Sequence, residues 1–165
     1  MKQLYIFLTL LLCSTQLRAQ ADDFPRSWEG HWTGELQQLP AGTGHSIPVS
    51  LAIQPLDSVR WTWTLHYEAP GQEPRRYELV KSTAGWNIDE QNGVLLPQQF
   101  IGRRMACSFS VEDTWLLCYY WLEKEALHME IHAVAQQDDT GKKNKTPGVR
   151  THFVSSLQQA TLYRK

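Results

Sequence analysis

Apolar and polar residues alternate along the chain from position 28 onward. In the first such segment, two tryptophans, two glycines and a leucine occupy every second position: Trp28, Gly30, Trp32, Gly34 and Leu36. A period of two places these residues on one face of a β-strand. Glycine weakens a strand, so two glycines on the apolar face indicate sharp bending or the close approach of another segment. The pattern therefore predicts a strand at which a sheet closes into a barrel.

The same alternation recurs along the rest of the chain. It predicts further strands at 47–53, 60–68, 77–79, 86–88, 94–101, 102–111, 114–123 and 125–137, and one or two closing strands at 152–157 and 160–164. Short turns such as Glu112-Asp113 join most of them, and residues 136–151 form a polar loop. About ten short strands without a repeat or a clear helix predict an all-β fold. We expect an antiparallel up-and-down β-barrel of about 8–10 strands.

Segment 125–137 fits two patterns. Its composition and the spacing of Leu127, Ile131 and Val134 suit a helix. The alternation of Leu127, Met129, Ile131 and Ala133 suits a strand. Because every neighbouring segment is a strand, we favour the strand. With a turn at Lys124-Glu125, it would pair Leu122 with Leu127, Tyr120 with Met129, Cys118 with Ile131 and Leu116 with Ala133.

The first 21 residues have the features of a secretory signal peptide. A positive Lys2 precedes the apolar run 4–13, and Ala19-Gln20-Ala21 is a small-x-small cleavage site. Cleavage after Ala21 is favoured over lipid attachment at Cys13, because Leu12 stands where a small residue is expected. The apolar run is too short to span a membrane. We therefore expect a single exported domain, residues 22–165, in the periplasm or outside the cell, with no membrane span.

The charge of the mature chain disfavours two classes of partner. Removing Lys2 and Arg18 from the 16 basic residues leaves 14 against 17 acidic ones, a net charge of −3. A chain without basic excess is not expected to bind nucleic acid or an anionic membrane. Cys107 and Cys118 remain after cleavage, and an even count in an exported chain suggests a disulfide. The turn at Glu112-Asp113 would set them opposite one another; the alternative is two buried residues that stay reduced.

The opening segment also carries a resemblance to a known family. Gly30-His31-Trp32 on the first strand of an exported all-β chain of this size resembles the opening motif of lipocalins and the wider calycin barrels. In that family the motif tryptophan packs across one end of the barrel beneath a basic residue of the last strand. The resemblance implies structural roles for Gly30, Trp32 and Arg164. It also implies a central cavity for a small apolar ligand.

Large side chains on the predicted inner faces are candidates for lining such a cavity: Trp61, Trp63, Tyr67, Tyr77, Trp86, Tyr120 and Met129. Aromatic rings with a few hydroxyl groups are typical of small-molecule sites. The same rings can instead fill the barrel, because a small barrel is often just wide enough for its own side chains. Both interpretations remain open from the sequence.

The strand 114–123 is apolar on both faces. Its predicted outer face carries Trp115, Leu117, Tyr119 and Trp121, an exposed aromatic stripe. Exposed apolar patches mark interaction surfaces, so a protein partner or a homodimer could form here. In the inverted arrangement this face would point inward beside His128, Glu130 and His132. We prefer the first arrangement, because it makes both strands apolar on the opposite face.

The sequence predicts no catalytic residue, metal site or cofactor. His128 and His132 on a strand would lie about 13 Å apart, too far to share an ion. The chain lacks Gly-x-Ser-x-Gly and a glycine-rich phosphate loop. Its acidic pairs fall in predicted turns or in the N-terminal tail. An exported non-catalytic binding protein is the leading hypothesis, and an interaction module acting through the aromatic stripe is the alternative.

Overall fold

The computed structural model describes residues 23–39, 46–135 and 152–165. The strands of this part of the chain are β1 (Gly30–Leu39), β2 (Ile47–Ile53), β3 (Arg60–Tyr67), β4 (Arg75–Ser82), β5 (Gly85–Asp89), β6 (Leu95–Ile101), β7 (Arg104–Val111), β8 (Thr114–Glu123), β9 (Ala126–Ala135) and β10 (Phe153–Arg164). A 3₁₀ helix, Arg26–Trp28, precedes β1. The predicted signal peptide and the loop 136–151 lie outside the described residues and stay predictions.

The ten strands form one closed barrel. Each strand pairs antiparallel with its sequence neighbours, and β1 also pairs with β10 to complete the circle. This confirms the predicted all-β, up-and-down barrel. No helix among the described residues is long and apolar enough to cross a bilayer.

The hairpins from β7 to β9 have the predicted register. Cys107 lies opposite Cys118, and Leu122, Tyr120, Cys118 and Leu116 face Leu127, Met129, Ile131 and Ala133. Segment 125–137 is therefore a strand between Ala126 and Ala135, as predicted. The closing segment is one strand, β10, with a register shift between Val154 and Ser156. Two-residue turns at Glu112-Asp113 and Lys124-Glu125 determine these registers; Glu112 and Lys124 have positive φ values of 49° and 57°.

The prediction that Trp28 lies on the first strand was wrong. It lies in the 3₁₀ helix, where its N–H donates to the carbonyl oxygen of Pro25 at 2.9 Å, and β1 begins only at Gly30. Trp28 is buried against the end of the barrel and not on its wall. Its place in the alternation of apolar residues is therefore a coincidence. Sequence alternation alone does not distinguish these two ways of burying an indole.

The glycines of β1 lie at the seam where the barrel closes. A methyl group at Gly34 would overlap the carbonyl oxygen of Thr161 on β10. At Gly30, which has a φ of 146°, it would approach the Arg164 side chain at 3.1 Å. Close approach of the last strand is thus the reason for Gly34, as the sequence predicted, while the positive φ of Gly30 and the nearby Arg164 side chain favour glycine there.

Candidate functional site

One end of the barrel is closed by aromatic rings. Phe24 lies at the centre of this group, with its ring centroid 4.9 Å from that of Trp28 and 4.9 Å from that of Phe100. It also packs against Trp86 at 5.1 Å, and Trp86 packs against Trp61 at 5.6 Å. The edge-to-face geometry of these pairs is favourable for aromatic rings. We call this group, together with Trp32, the aromatic plug.

Trp32 and Arg164 meet at the plug. They are directly opposed on β1 and β10, and the Arg164 guanidinium carbon lies 4.5 Å from the Trp32 ring centroid. The indole N–H of Trp32 donates to the Trp28 carbonyl at 2.8 Å, and the guanidinium donates to the Ser27 carbonyl at 2.9 Å. The stacking implied by the family resemblance is therefore present. It holds the 3₁₀ helix over the barrel end.

The predicted cavity residues all face the barrel interior but fall at different levels. Trp61 and Trp86 belong to the plug, where Trp61 also donates to Glu29 at 2.9 Å. Trp63, Tyr120 and Met129 are buried in the middle of the barrel. Tyr67 and Tyr77 are half-buried, near the ends of their strands opposite the plug. Only these two of the seven predicted residues stand in the region that the plug leaves open.

The middle of the barrel is a packed floor. The rings of Trp63 and Tyr120 pack edge to face at 5.1 Å, and Trp63 is 1% exposed. Burial raises the pKa of the Tyr120 phenol well above its ordinary value of 10. These residues fill the interior between the plug and the opposite end of the barrel.

Opposite the plug, several interior side chains are only half-buried. They are Ile47, Tyr67, Tyr77, Leu96, Phe109, Leu116 and Ile131, contributed by seven different strands. Leu36, Val49 and Ile88, which pair with three of them, are buried. The Arg75 guanidinium lies 5.2 Å from the Tyr67 ring centroid at this rim. Burial raises the pKa of Tyr67 despite the opposing charge of Arg75. We call this region the open half of the barrel.

The barrel wall is weakest between β6 and β7. Their register comprises three pairs, all at the plug end, of which Gln99 with Ala106 is the last toward the open half. Beyond that point, residues 107–111 of β7 pair only with β8 among the described strands. Pro97 on β6 has no N–H to donate to a neighbouring strand, which fits the short ladder.

A small polar group lies on the inner wall at this weak point. Gln98 is 5% exposed, and its side-chain N–H donates to the Leu96 carbonyl at 2.9 Å. Its Oε1 is buried and has no hydrogen-bond partner within the described part of the chain. Cys107 and Cys118 face each other beside it as free thiols. The predicted register of the cysteines is confirmed, and the disulfide itself stays a prediction.

The outer face of β8 is less apolar than the sequence suggested. Each of its aromatic rings lies against a histidine: Trp115 against His152 at 5.0 Å, Tyr119 against His132 at 5.9 Å, and Trp121 against His128 at 4.9 Å. The Arg104 guanidinium lies 4.2 Å from the Trp121 ring centroid. Of the four residues of the stripe, Trp115 is exposed, at 44%, and the other three are half-buried.

Beside the stripe lies a shallow hollow of about 510 Å³ on the outside of the barrel. Its lining includes the polar side chains Glu35, Gln37, Glu130, Gln159 and Thr161, together with Trp121 and His128. Thr161 and His128 are hydrogen-bonded at 3.1 Å, and Gln159 donates to Gln37 at 3.3 Å. The hollow is open, its accessible lining is more apolar than polar, and several of its polar side chains already partner one another.

The histidines of β9 do not form a metal site. His128 and His132 occupy the same outer face, with Glu130 between them at 3.6 Å from His132. Throughout the described ranges, no three His, Cys, Asp or Glu side chains come together in a way that would hold an ion.

Sequence reasoning missed several interior residues. Phe24 lies just after the predicted cleavage site and carried no periodic signal. Gln98 follows Pro97, which obscured the alternation of β6. Leu96, Phe109, Leu116 and Ile131 do alternate, but they lack the aromatic hydroxyl or indole groups that drew attention to the other residues.

No protein-family model and no curated protein matches the chain.

Proposed function

We propose that the protein is an exported, non-catalytic, lipocalin-like carrier that binds one small apolar or amphipathic molecule in the open half of its barrel. The observation that carries this proposal is a group of seven inward-facing apolar residues opposite the plug that retain solvent contact. The floor between this group and the plug is packed, with Trp63 1% exposed.

The strand number supports an interior site. The diameter of a barrel grows with the number of strands, and about eight strands already enclose enough room for one small ligand. This barrel has ten. The plug and floor fill one end of the wider interior, which leaves the open half as the place for a guest molecule.

The rim supports an apolar ligand. Seven of the eleven exposed large apolar residues in the described part of the chain lie at the open end. They are Leu39, Val94, Leu95, Val111, Trp115, Phe153 and Val154. An apolar rim lowers the cost of passing an apolar molecule from water into the interior. The phenols of Tyr67 and Tyr77 and the guanidinium of Arg75 offer polar contacts at the mouth for the polar end of an amphipathic molecule.

Titration with dodecanol and dodecanoate, followed by tryptophan fluorescence, tests the proposal. Trp63 on the floor supplies a nearby reporter. We expect saturable binding of at least one probe with a stoichiometry of one. Ala133→Trp places a large ring among the inward-facing residues of the open half and should weaken binding at least tenfold, or about 1.4 kcal/mol.

Ser110→Trp is the matched control. Ser110 lies on the outer face of β7, opposite Trp115, so the same ring added there leaves the interior unchanged. It should bind the probes as the parent protein does. Absence of saturable binding to either probe, or equal binding by both variants, would refute an interior site.

The alternative function is association through the outer face of β8. The 44% exposure of Trp115 and the hollow beside Trp121 favour it. Replacing Trp115 and Trp121 by serine should then abolish a concentration-dependent self-association measured by sedimentation. A parent protein that is monomeric at all concentrations would exclude a homodimer through this face.

A further inference from the structure

Cys107 and Cys118 are free thiols at opposed positions of one ladder, and their sulfur atoms are not at bonding distance in this structure. They are directly opposed on adjacent antiparallel strands and share the inner face. Opposed residues of such a ladder have Cα atoms about 4.5–5.5 Å apart. A disulfide requires roughly 4.4–6.8 Å between Cα atoms. The two strands can therefore hold the pair in either the reduced or the oxidised form.

The two thiols differ in access. Cys118 is 6% exposed and lies between the ladders of β7 and β9. Cys107 is half-buried and follows directly after Ala106, the last residue of β7 that pairs with β6 toward the open half. A small reagent arriving from the open half or past the short β6–β7 ladder therefore meets Cys107 first.

The two thiols also differ in chemistry. The hydrogen bond from the Cys118 thiol lowers the pKa of Cys107 to about 7, against the effect of burial and with a further contribution from the Gln98 amide. The same hydrogen bond, together with burial, raises the pKa of Cys118. Cys107 is thus the thiol of the pair that ionises more readily. The thiolate is the form that attacks.

Gln98 fits this chemistry. A buried carbonyl oxygen without a partner is destabilising, and an apolar residue at position 98 would avoid that cost. The Gln98 side-chain N–H donates to the Leu96 carbonyl, the Gln98 amide lowers the pKa of Cys107, and Oε1 has no partner among the described residues. Stabilising a thiolate at Cys107 gives the polar side chain a role that packing does not.

We propose that Cys107 and Cys118 form a redox-active dithiol on the inner wall of the barrel, with Cys107 as the attacking thiol and Cys118 as the resolving thiol. The oxidant is a low-molecular-weight disulfide. The Cys107 thiolate attacks one of its sulfurs, a mixed disulfide forms, and the first thiolate leaves. Cys118 then gives up its proton and attacks the Cys107 sulfur, and the second thiol leaves with that proton. The pair loses two electrons and the small disulfide is reduced to two thiols.

This inference does not depend on whether the barrel carries a ligand. Its test uses the full chain with Cys13→Ser, so that the pair supplies the only thiols. Brief alkylation with N-ethylmaleimide followed by peptide mapping should label Cys107 before Cys118. Between pH 7 and 9 the labelling rate should rise only about twofold, against about 25-fold for an ordinary thiol of pKa 8.5. Cys118→Ser, which weakens the hydrogen bond, should steepen this rise.

Equilibration with mixtures of oxidised and reduced glutathione completes the test. Intact mass should show a reversible loss of two hydrogen atoms when Cys107 and Cys118 are both present. Cys118→Ser should instead accumulate a single glutathione adduct, and Cys107→Ser should form neither product quickly. Preferential labelling of Cys118, an ordinary pH profile, or no internal disulfide at any glutathione ratio would overturn the proposal. The labelling order is measured with both Cys107 and Cys118 in place, so it tests the proposal even if a variant at either position misfolds.

Discussion

Arg164 offers the sharpest test of how the barrel end is held shut. Truncation to alanine removes the cation–π contact with Trp32 at 4.5 Å and the hydrogen bond to the Ser27 carbonyl at 2.9 Å. A cation–π contact contributes about 1 kcal/mol. A hydrogen bond from a charged group contributes about 1.5 kcal/mol. Arg164→Ala should therefore lower the free energy of unfolding by about 2–3 kcal/mol.

Thermal unfolding followed by circular dichroism measures this loss. For a domain of this size, 1 kcal/mol shifts Tm by about 2–4 °C, so we expect a decrease of about 5–10 °C. Arg164→Lys keeps the charge but loses the planar stack and should show an intermediate decrease. Arg76→Ala is the control, because Arg76 is exposed and forms no ion pair or cation–π contact among the described residues. Equal melting of Arg164→Ala and Arg76→Ala would refute the role assigned to the stack.

Three further predictions follow from the packing. Gly34→Ala should destabilise the barrel by about 3 kcal/mol in urea unfolding, because the added methyl group would overlap the Thr161 carbonyl at the seam. The control Glu35→Ala, at an exposed neighbouring position, should change stability by less than about 0.5 kcal/mol. Similar values for both variants would contradict a tight seam. Trp63→Ala should cost about 3–5 kcal/mol by the same assay, because Trp63 is 1% exposed, and a cost below about 1 kcal/mol would show that the floor is not packed. Above pH 10 the free energy of unfolding should fall more steeply in the parent than in Tyr120→Phe. Burial raises the pKa of Tyr120 in the folded protein, so the unfolded chain loses that proton first and is favoured as the pH rises. Parallel pH profiles of the two proteins would contradict this linkage.

The barrel itself was predictable because its determinants are local. Alternation assigned the inner face of each strand, and two-residue turns at Glu112-Asp113 and Lys124-Glu125 determined the registers around β8. The seam was predictable from Gly30 and Gly34, since glycine on an apolar strand face requires a reason. The contact between Trp32 and Arg164 joins the two ends of the chain, and it was reached through the family resemblance.

The distribution of packing within the barrel was not predictable. Trp86 and Tyr77 have the same alternation signal, yet one belongs to the plug and the other to the open half, because strand tilt decides which residues share a level. The polar cover of the β8 stripe depends on side-chain geometry across strands, such as Arg104 lying against Trp121. The unpaired Oε1 of Gln98 is a property of three-dimensional surroundings and leaves no trace in the sequence.

The central claim is that a ligand binds inside the open half of the barrel and not on its outer face. Methyl-labelled protein saturated with the better of dodecanol and dodecanoate tests it by NMR. The account predicts that intermolecular nuclear Overhauser contacts and the largest shift changes fall on Leu96, Leu116 and Ile131, with Met129 marking the floor. Contacts confined to Leu117 and Thr161 on the outer face, with the interior methyl groups unchanged, would contradict it.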